Sequence, residues 1–506
     1  MSQGTPAEPV GLDYASPNGP ERQFLGHPVG LYVLFFTELW ERFNFYGMRA
    51  LLIFYMTKML AFDDKLAATS YGAYNGLVYA TPLLGGLLAD RILGYRRSIL
   101  LGGILMAAGE FGLALAGFGV IPQNLTSFYA SLALIIIGNG FFKPNISTMV
   151  GSLYKQGDPR RDGAFTIFYM GINIGAFLAP LACGTIGELY GYHYGFAIAG
   201  FGMLLGLVCF ALFQKHLGRR GFPPRFETIG PKAPAFTPGE LGIYLGSLLV
   251  IPAFAYLAAN PVVVEHFAAP IVGGLFLVYV LWEASRSTPD ERHGIFVIII
   301  LTIFSIMFWA FFEQAGSSMN LFTDRHVDRT VFGWEIPASA FQSVNALFIV
   351  LLAPLFSMLW LALGRRGKDP SSAVKFALAL VQLGVGFVAM VWAAKQAEAS
   401  GKSALILLIG AYFFHTTGEL CLSPVGLSMV TKMAPNRLAS LLMGLWLLSS
   451  AFAHIVGGQL ASMSEDWGFG KLYSVIVGFA VGSGVLLFIV SPKIKKWEKA
   501  RLASHK

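Results

Sequence analysis

The sequence predicts an all-α protein that crosses a membrane fourteen times, and three observations carry that reading. Hydrophobic residues make up 55% of the 506 and charged residues only 13%, with a mean hydropathy of +0.62. Soluble domains carry about a quarter charged residues, so water is not the main solvent of this chain. Apolar stretches recur from Leu31 almost to the C-terminus, each about as long as the ~20 residues of helix that a hydrocarbon core needs. Finally, lysines and arginines gather in alternate connections rather than along the whole length.

Taken in order, residues 1–27 are polar and rich in Pro and Gly, with no apolar core or cleavage pattern, and are expected to be a disordered tail rather than a signal peptide. Six spans follow, near 31–58, 70–91, 98–119, 127–149, 163–187 and 194–214. The stretch "KHLGRRGFPPRFETIGPKAPAFTPGE" is basic and broken by prolines, so 215–239 is expected to be a linker. Two spans poor in intramembrane charge, 240–259 and 267–285, come next. Six more lie near 294–318, 338–363, 373–394, 403–431, 438–463 and 471–491, before a basic tail at 493–506. Setting aside the pair at 240–286 leaves an N-terminal bundle (28–214) and a C-terminal bundle (287–492) of six spans each. That count suits a carrier with its site at the midplane between two halves.

The basic residues fix the orientation. Arg91, Arg96, Arg97, Lys155, Arg160, Arg161, the linker cations and the C-terminal lysines fall on the side of both termini, with only Lys58, Lys65, Arg325, Arg329, Lys395, Lys402 and Lys471 opposite. This positive-inside bias places both termini in the cytoplasm, in a cell (inner) membrane. The net charge of +8 therefore records topology and does not point to nucleic acid. Cys183, Cys209 and Cys421 lie in apolar segments without metal-ligand spacing. No Walker-type loop and no Ser/His/Asp constellation is visible, which argues against an enzyme or a nucleotide-driven pump.

The first span breaks the apolar rule. "TELWERFNFYGMR" carries Glu38, Glu41, Arg42 and Arg49. At 100° per residue the four charges fall within an arc of about 100°, on one stripe. A charge at the bilayer centre costs about 2.5–3.5 kcal/mol on insertion scales, so these need partners or water. A clamp of salt bridges alone is the weaker explanation, because buried ion pairs rarely beat apolar packing. Further charges stand in other spans: Lys143 in "GNGFFKPNIS", Glu313 in "FWAFFEQAGSS" and Glu419 in "HTTGELCLSP", where Pro424 can kink the helix. Bases in the N-terminal half and acids in the C-terminal half make a bipolar cavity, suited to a zwitterion with separated ends. Glu110 in the third span is expected to be a satisfied interhelical hydrogen bond, and His415 a structural residue one turn before Glu419.

"GGLLADRILGYRRS" has the G-x-x-x-D-R-x-x-G-[KR]-[RK] pattern of the major facilitator superfamily. Its glycines would let two helices approach, and Asp90 would accept bonds from Arg91, Arg96 or a neighbouring helix N-terminus. "ELWERFNFYG" resembles the E-x-x-E-R-F-x-Y-Y-G motif of the proton-dependent oligopeptide transporter family. "FYMGINIGAF", "KPNIS", "EQAGSS", "FQSVNALFI", "GELCLSPVGLSMV" and "MGLWLLSS" are similar to further stretches of that family, in order, from about residue 31 to 490. An added helix pair is what bacterial members look like.

The resemblance implies a major facilitator fold and proton-coupled symport of di- and tripeptides, without a cofactor. It implies that Arg42 and Lys143 hold the peptide carboxylate, while Glu419, Asn173 and Asn345 hold its amino end. Tyr46, Tyr74, Trp309, Trp446 and Ser450 would line side-chain pockets. Glu313 would pair with Arg49 and release it on protonation, and Glu38 and Glu41 would couple the proton to Arg42. A membrane potential of 100 mV supplies about 2.3 kcal/mol per charge, and one pH unit about 1.4 more. Departures are Phe45 for the usual first Tyr, Ala346 for Pro, His454 for Asn and Gly72 where animal members have His. The competing reading is a carrier of the same fold for nitrate or an amino acid, but an anion has no use for Glu419. Nothing in the sequence demands more than a monomer.

Overall fold

A computed structural model of the chain describes residues 22–155, 157–228 and 236–503. Residues 1–21, 156, 229–235 and 504–506, which hold most of the expected N-terminal tail, part of the expected linker and the end of the expected basic tail, lie outside the described residues.

Fourteen membrane helices can be traced among the described residues. They are α1 (Val29–Phe54), α2 (Asp64–Ala80, prolonged by Pro82–Leu88), α3 (Gly94–Gly117), α4 (Leu125–Ser152), α5 (Arg161–Ala179, prolonged to Tyr190) and α6 (Tyr192–Phe213). Then come α7 (Pro238–Leu249, prolonged by Ile251–Ala259) and α8 (Ala269–Ser285). The last six are α9 (Pro289–Phe312), α10 (Ser343–Arg365), α11 (Ser372–Ser400), α12 (Leu405–Met433), α13 (Ala439–Trp467) and α14 (Phe469–Ala503). Twelve runs are long and apolar enough to cross a bilayer. One of them, Asp64–Gly117, contains two crossings, and α1 is absent from the twelve because its four charges exceed what an apolar window tolerates.

Local sequence explains the helix starts. Asp63 and Asn124 accept from the amides of Leu66 and Ser127 at the starts of α2 and α4. Thr237 with Glu240 and Thr288 with Glu291 form reciprocal capping boxes at α7 and α9. Between α2 and α3 the chain turns at Gly94, whose φ of +71° favours glycine. Inside α2's extension, a side chain at Gly85 would put its Cβ 1.9 Å from the Gly140 carbonyl, so only glycine lets this helix reach α4.

Asp90 behaves differently from expectation. It is exposed and unbonded among the described residues; Arg96 instead donates to the carbonyls of Arg220 (2.7 Å) and Gly218 (2.5 Å), and Arg97 pairs with Glu240 at 2.9 Å. The cations are thus used to fasten the chain after α6 and the start of α7. The C-terminus also departs: residues 493–503, expected as a tail, continue α14. Pro492 is accommodated within the helix, Trp497 stacks on His293 at 5.5 Å, and Arg501 donates to the carbonyls of Met433 (3.2 Å) and Ala434 (3.3 Å).

Helices α1–α6 pack around α1, α3 and α4, and α9–α14 around α9 and α11. The two halves meet along two seams, α2 with α13 and α5 with α10. The pair α7–α8 lies outside the first seam. The Ile251–Ala259 segment of α7 rests on α4 and α2, and α8 rests on α9 and α13. At the end near the termini, Glu240 takes Arg97 and Arg225 of the N-terminal side, and Glu283 takes Arg437 of the C-terminal side at 2.5 Å.

At the end opposite the termini the halves are drawn together. Arg325 donates to both oxygens of Asp64 (2.5 and 2.7 Å), Lys58 pairs with Asp324 (2.7 Å), and Lys65 with Asp466 (3.2 Å). Glu188 accepts from the amides of Ala338 (3.2 Å) and Ser339 (2.7 Å). Just below, Gly72 of α2 crosses Gly458 of α13 so closely that a Cβ on Gly72 would stand 2.7 Å from the Gly458 Cα.

Candidate substrate-binding cavity

A cavity of about 400 Å³ lies between the halves, walled by α1, α2, α5, α9, α10, α12 and α13. Its size and its mixture of aromatic rings with a few polar groups are those of a small-molecule site.

At its upper wall, toward the closed end, the buried Arg49 guanidinium of α1 donates to the carboxylate of Glu313, at the end of α9. Its Nε also donates to the Tyr71 hydroxyl at 2.7 Å, and His454 Nε2 stands 3.9 Å from the other Glu313 oxygen. Arg49, Glu313 and His454 all face the cavity. The pair joins one half to the other, and a charge-assisted bond of this kind is about twice as strong as a neutral one.

The cavity wall also carries Glu419 of α12. Its Oε2 accepts from Asn345 Nδ2 of α10 at 2.9 Å, and that amide also donates to Thr416 Oγ1 at 3.0 Å. Asn173 lines the cavity too, with its amide donating to the Tyr169 carbonyl at 2.9 Å. Trp309, Trp446, Ser450 and Tyr46 complete the walls named from sequence.

A second charged group lies next to Tyr46. The Arg42 guanidinium donates from two nitrogens to the two oxygens of Glu41, each at 2.5 Å, and its Nε is 3.4 Å from Glu38. Lys143 donates to Glu38 at 2.8 Å, and Asn139 to Glu41 at 3.4 Å. Two acids and two bases cancel in this quartet. Only Lys143 has substantial exposure, with 30% of its side chain accessible. The Tyr46 ring lies near both guanidinium groups, 5.9 Å from Arg42 and 5.7 Å from Arg49, so one tyrosine contacts the quartet and the upper pair.

Not every residue named from sequence reaches the cavity. Arg42, Lys143, Glu38 and Glu41 lie off its wall, because each cation has turned to an adjacent carboxylate. Tyr74 is also off it: the ring is fully buried in the apolar core of the N-terminal half, and its hydroxyl has no partner among the described residues. Phe45 is similarly enclosed, with the Arg42 guanidinium 5.0 Å from its ring. Glu110 makes no hydrogen bond among the described residues through either oxygen, contrary to the bond expected for it; the helices facing it present Tyr74 and Cys183 but no aligned donor. His415 packs against Phe387 at 4.6 Å and borders the cavity. Sequence reasoning missed Tyr71 and the proximity of His454 to Glu313. Tyr71 follows Ser70 on α2 with no charge nearby in sequence to mark it, whereas His454 stood out as a departure from the family motif.

A two-half bundle with polar groups converging at its centre defines a multi-pass membrane carrier of the major facilitator fold. The sequence profile described as the POT family matches residues 96–228 and 243–475, and the chain belongs to that family. It is 37% identical over 498 residues to the "Uncharacterized transporter YclF" of Bacillus subtilis (strain 168), covering 96% of this chain and 97% of that one. It is 36% identical over 493 residues to the "Peptide transporter YePEPT" of Yersinia enterocolitica, covering 93% and 95%. Among solved structures it is similar to the peptide transporter POT in complex with sulfate, with 37% identity, a TM-score of 0.80, and coverage of 94% and 97%. A POT family transporter in complex with a thioalcohol-conjugated peptide gives 33% identity, a TM-score of 0.80, and coverage of 94% and 98%.

Proposed function

We propose that this protein is a monomeric proton-coupled symporter that carries di- and tripeptides into the cytoplasm by alternating access, without a cofactor. Both termini are cytoplasmic, the membrane is the cell (inner) membrane, and residues 28–214 and 287–492 are the two rocking bundles. The observation that carries the reading is the Arg49–Glu313 pair, a bond between the halves made by groups that also face the cavity. A proton and a cargo can therefore both act on it. The names of the relatives, di-/tripeptide transporters of Lactococcus lactis among them, supply the cargo class.

In this reading a proton arriving from outside neutralises Glu313, weakens its hold on Arg49 and loosens the closed end. The peptide's ammonium docks at Glu419, helped by Asn345 and Asn173. Its carboxylate draws Lys143 and Arg42 away from Glu38 and Glu41, which a proton can then occupy. Trp309, Trp446, Tyr46 and Ser450 surround the side chains loosely. The end opposite the termini, outside in this reading, is held closed by Arg325–Asp64, Lys58–Asp324 and Lys65–Asp466.

The test is uptake of dialanine into liposomes holding the purified protein, acid outside, with nitrate and free alanine as competing cargoes. Peptide accumulation that needs the proton gradient supports the reading. Preferential uptake of nitrate or alanine, or peptide uptake indifferent to the gradient, defeats it.

A further inference from the structure

A second cavity, about 440 Å³, opens at the end of the C-terminal half that carries the termini, between α10, α11, α12 and α14. Four lysines line it: Lys375, Lys432, Lys495 and Lys499. Lys375 is already engaged, paired with Asp369 at 2.8 Å and lying 4.6 Å over the Trp360 ring. The other three form no ion pair among the described residues. The remaining acid, Glu498, bonds to Ser372 and has one oxygen shut from solvent without a partner. Lys495 and Lys432 both act electrostatically on Glu498, so the four lysines of the lining outnumber its two acids, Asp369 and Glu498, and the site stays electropositive.

Two further features narrow the ligand. The 29-residue helix α11 begins on the cavity wall at Ser371 and Ser372, and the Ser371 side chain makes no capping bond. The start of a long helix without a capping side chain favours an anion, and the Glu498 carboxylate already bonds to Ser372 in its first turn. Trp360 and Leu502 give the cavity an apolar flank, and tryptophan favours the depth of lipid headgroups. Basic pockets between membrane helices on the cytoplasmic side bind phosphate-bearing headgroups.

We propose that this cavity is a binding site for the phosphate of an anionic phospholipid, phosphatidylglycerol in its chemistry, with Lys432, Lys495, Lys499 and the start of α11 as its ligands. The shared chemistry is a phosphate ester anion; the apolar flank favours the lipid over free phosphate. The assignment does not depend on which cargo the central cavity carries.

Native mass spectrometry of the full chain, titrated with phosphatidylglycerol or phosphatidylcholine, tests it. One phosphatidylglycerol is expected to be retained in preference to phosphatidylcholine. Retention should fall at least about tenfold in Lys432→Gln/Lys495→Gln/Lys499→Gln, since each surface cation contributes to holding an anionic lipid. Each single Lys→Gln variant should show a smaller step, and the triple Lys→Arg variant should retain the lipid. Arg365→Gln/Arg366→Gln/Lys368→Gln, which removes exposed cations outside the cavity lining, should leave retention unchanged. Equal losses in the two triple Gln variants would show general surface charge and overturn the site. Equilibrium dialysis with inorganic phosphate supplies the other arm: lysine-dependent phosphate binding without phosphatidylglycerol retention would make it a free-anion site and overturn the lipid assignment.

Discussion

The Arg49 guanidinium holds the Glu313 carboxylate across the boundary between the two halves, at the upper wall of the central cavity. Breaking a buried pair by deleting one partner leaves the other charge uncompensated. Neutralising Glu313 should therefore uncouple the proton without emptying the cavity. In Glu313→Gln, dialanine should no longer accumulate against a gradient, while counterflow exchange continues at a measurable rate. The two assays run side by side on the same liposomes; uphill accumulation by the variant would refute the role given to this carboxylate.

Glu419 faces the cavity with Asn345 as its donor. A hydrogen bond to a charged group is worth about 1.5–3 kcal/mol, or roughly 10–100-fold in affinity. Glu419→Gln should weaken dialanine binding by that range and leave N-acetyl-dialanine, which lacks the ammonium, almost unaffected. Isothermal titration of both ligands decides it, and an equal loss for the two would remove Glu419 from ammonium recognition.

Lys143 is the member of the charged quartet that water reaches. Lys143→Gln should reduce binding of dialanine about tenfold or more, by the same charge-assisted arithmetic, and spare dialanine amide. The mutation also frees Glu38 from its partner at 2.8 Å, so a thermal melt should accompany the titration. A loss that follows the melting temperature and ignores the amide would mark Lys143 as structural only.

At the crossing of α2 and α13 there is no room for a side chain, because a Cβ on Gly72 would lie 2.7 Å from the Gly458 backbone. Gly72→Ala should wedge the closed end apart and shift the population toward the opposite-facing state. Distances between spin labels at Lys65 and Glu465 should lengthen in the variant. Unchanged distances would mean that the crossing adapts by other means.

Much of this was written plainly in the chain, because hydropathy and charge act residue by residue. Each span is apolar for its own reasons, and α1 stands out because lipid makes its four charges costly. What the sequence conceals is competition between nearby partners. Arg42 has Glu41 beside it and Glu38 one turn away, and the choice of these over the cavity is a balance among three bodies. The contact of Glu313 with His454 depends on how α9 and α13 are rotated against each other, which no local pattern encodes. The persistence of α14 past Pro492 rests likewise on distant groups, chiefly His293 and the carbonyls at the end of α12.

The helix pair α7–α8 has one arm on each half and is fastened at its two open ends to opposite sides, Glu240 to Arg97 and Glu283 to Arg437. When the halves swing, those anchor points must separate or approach. The displacement has to be absorbed at the far bend, where Asn260 and Pro261 interrupt the helix and the backbone widens into a π turn over Val264–Ala268. A pair tied to both halves at its open ends would thus flex like a hairpin at that bend whenever the two halves change their angle.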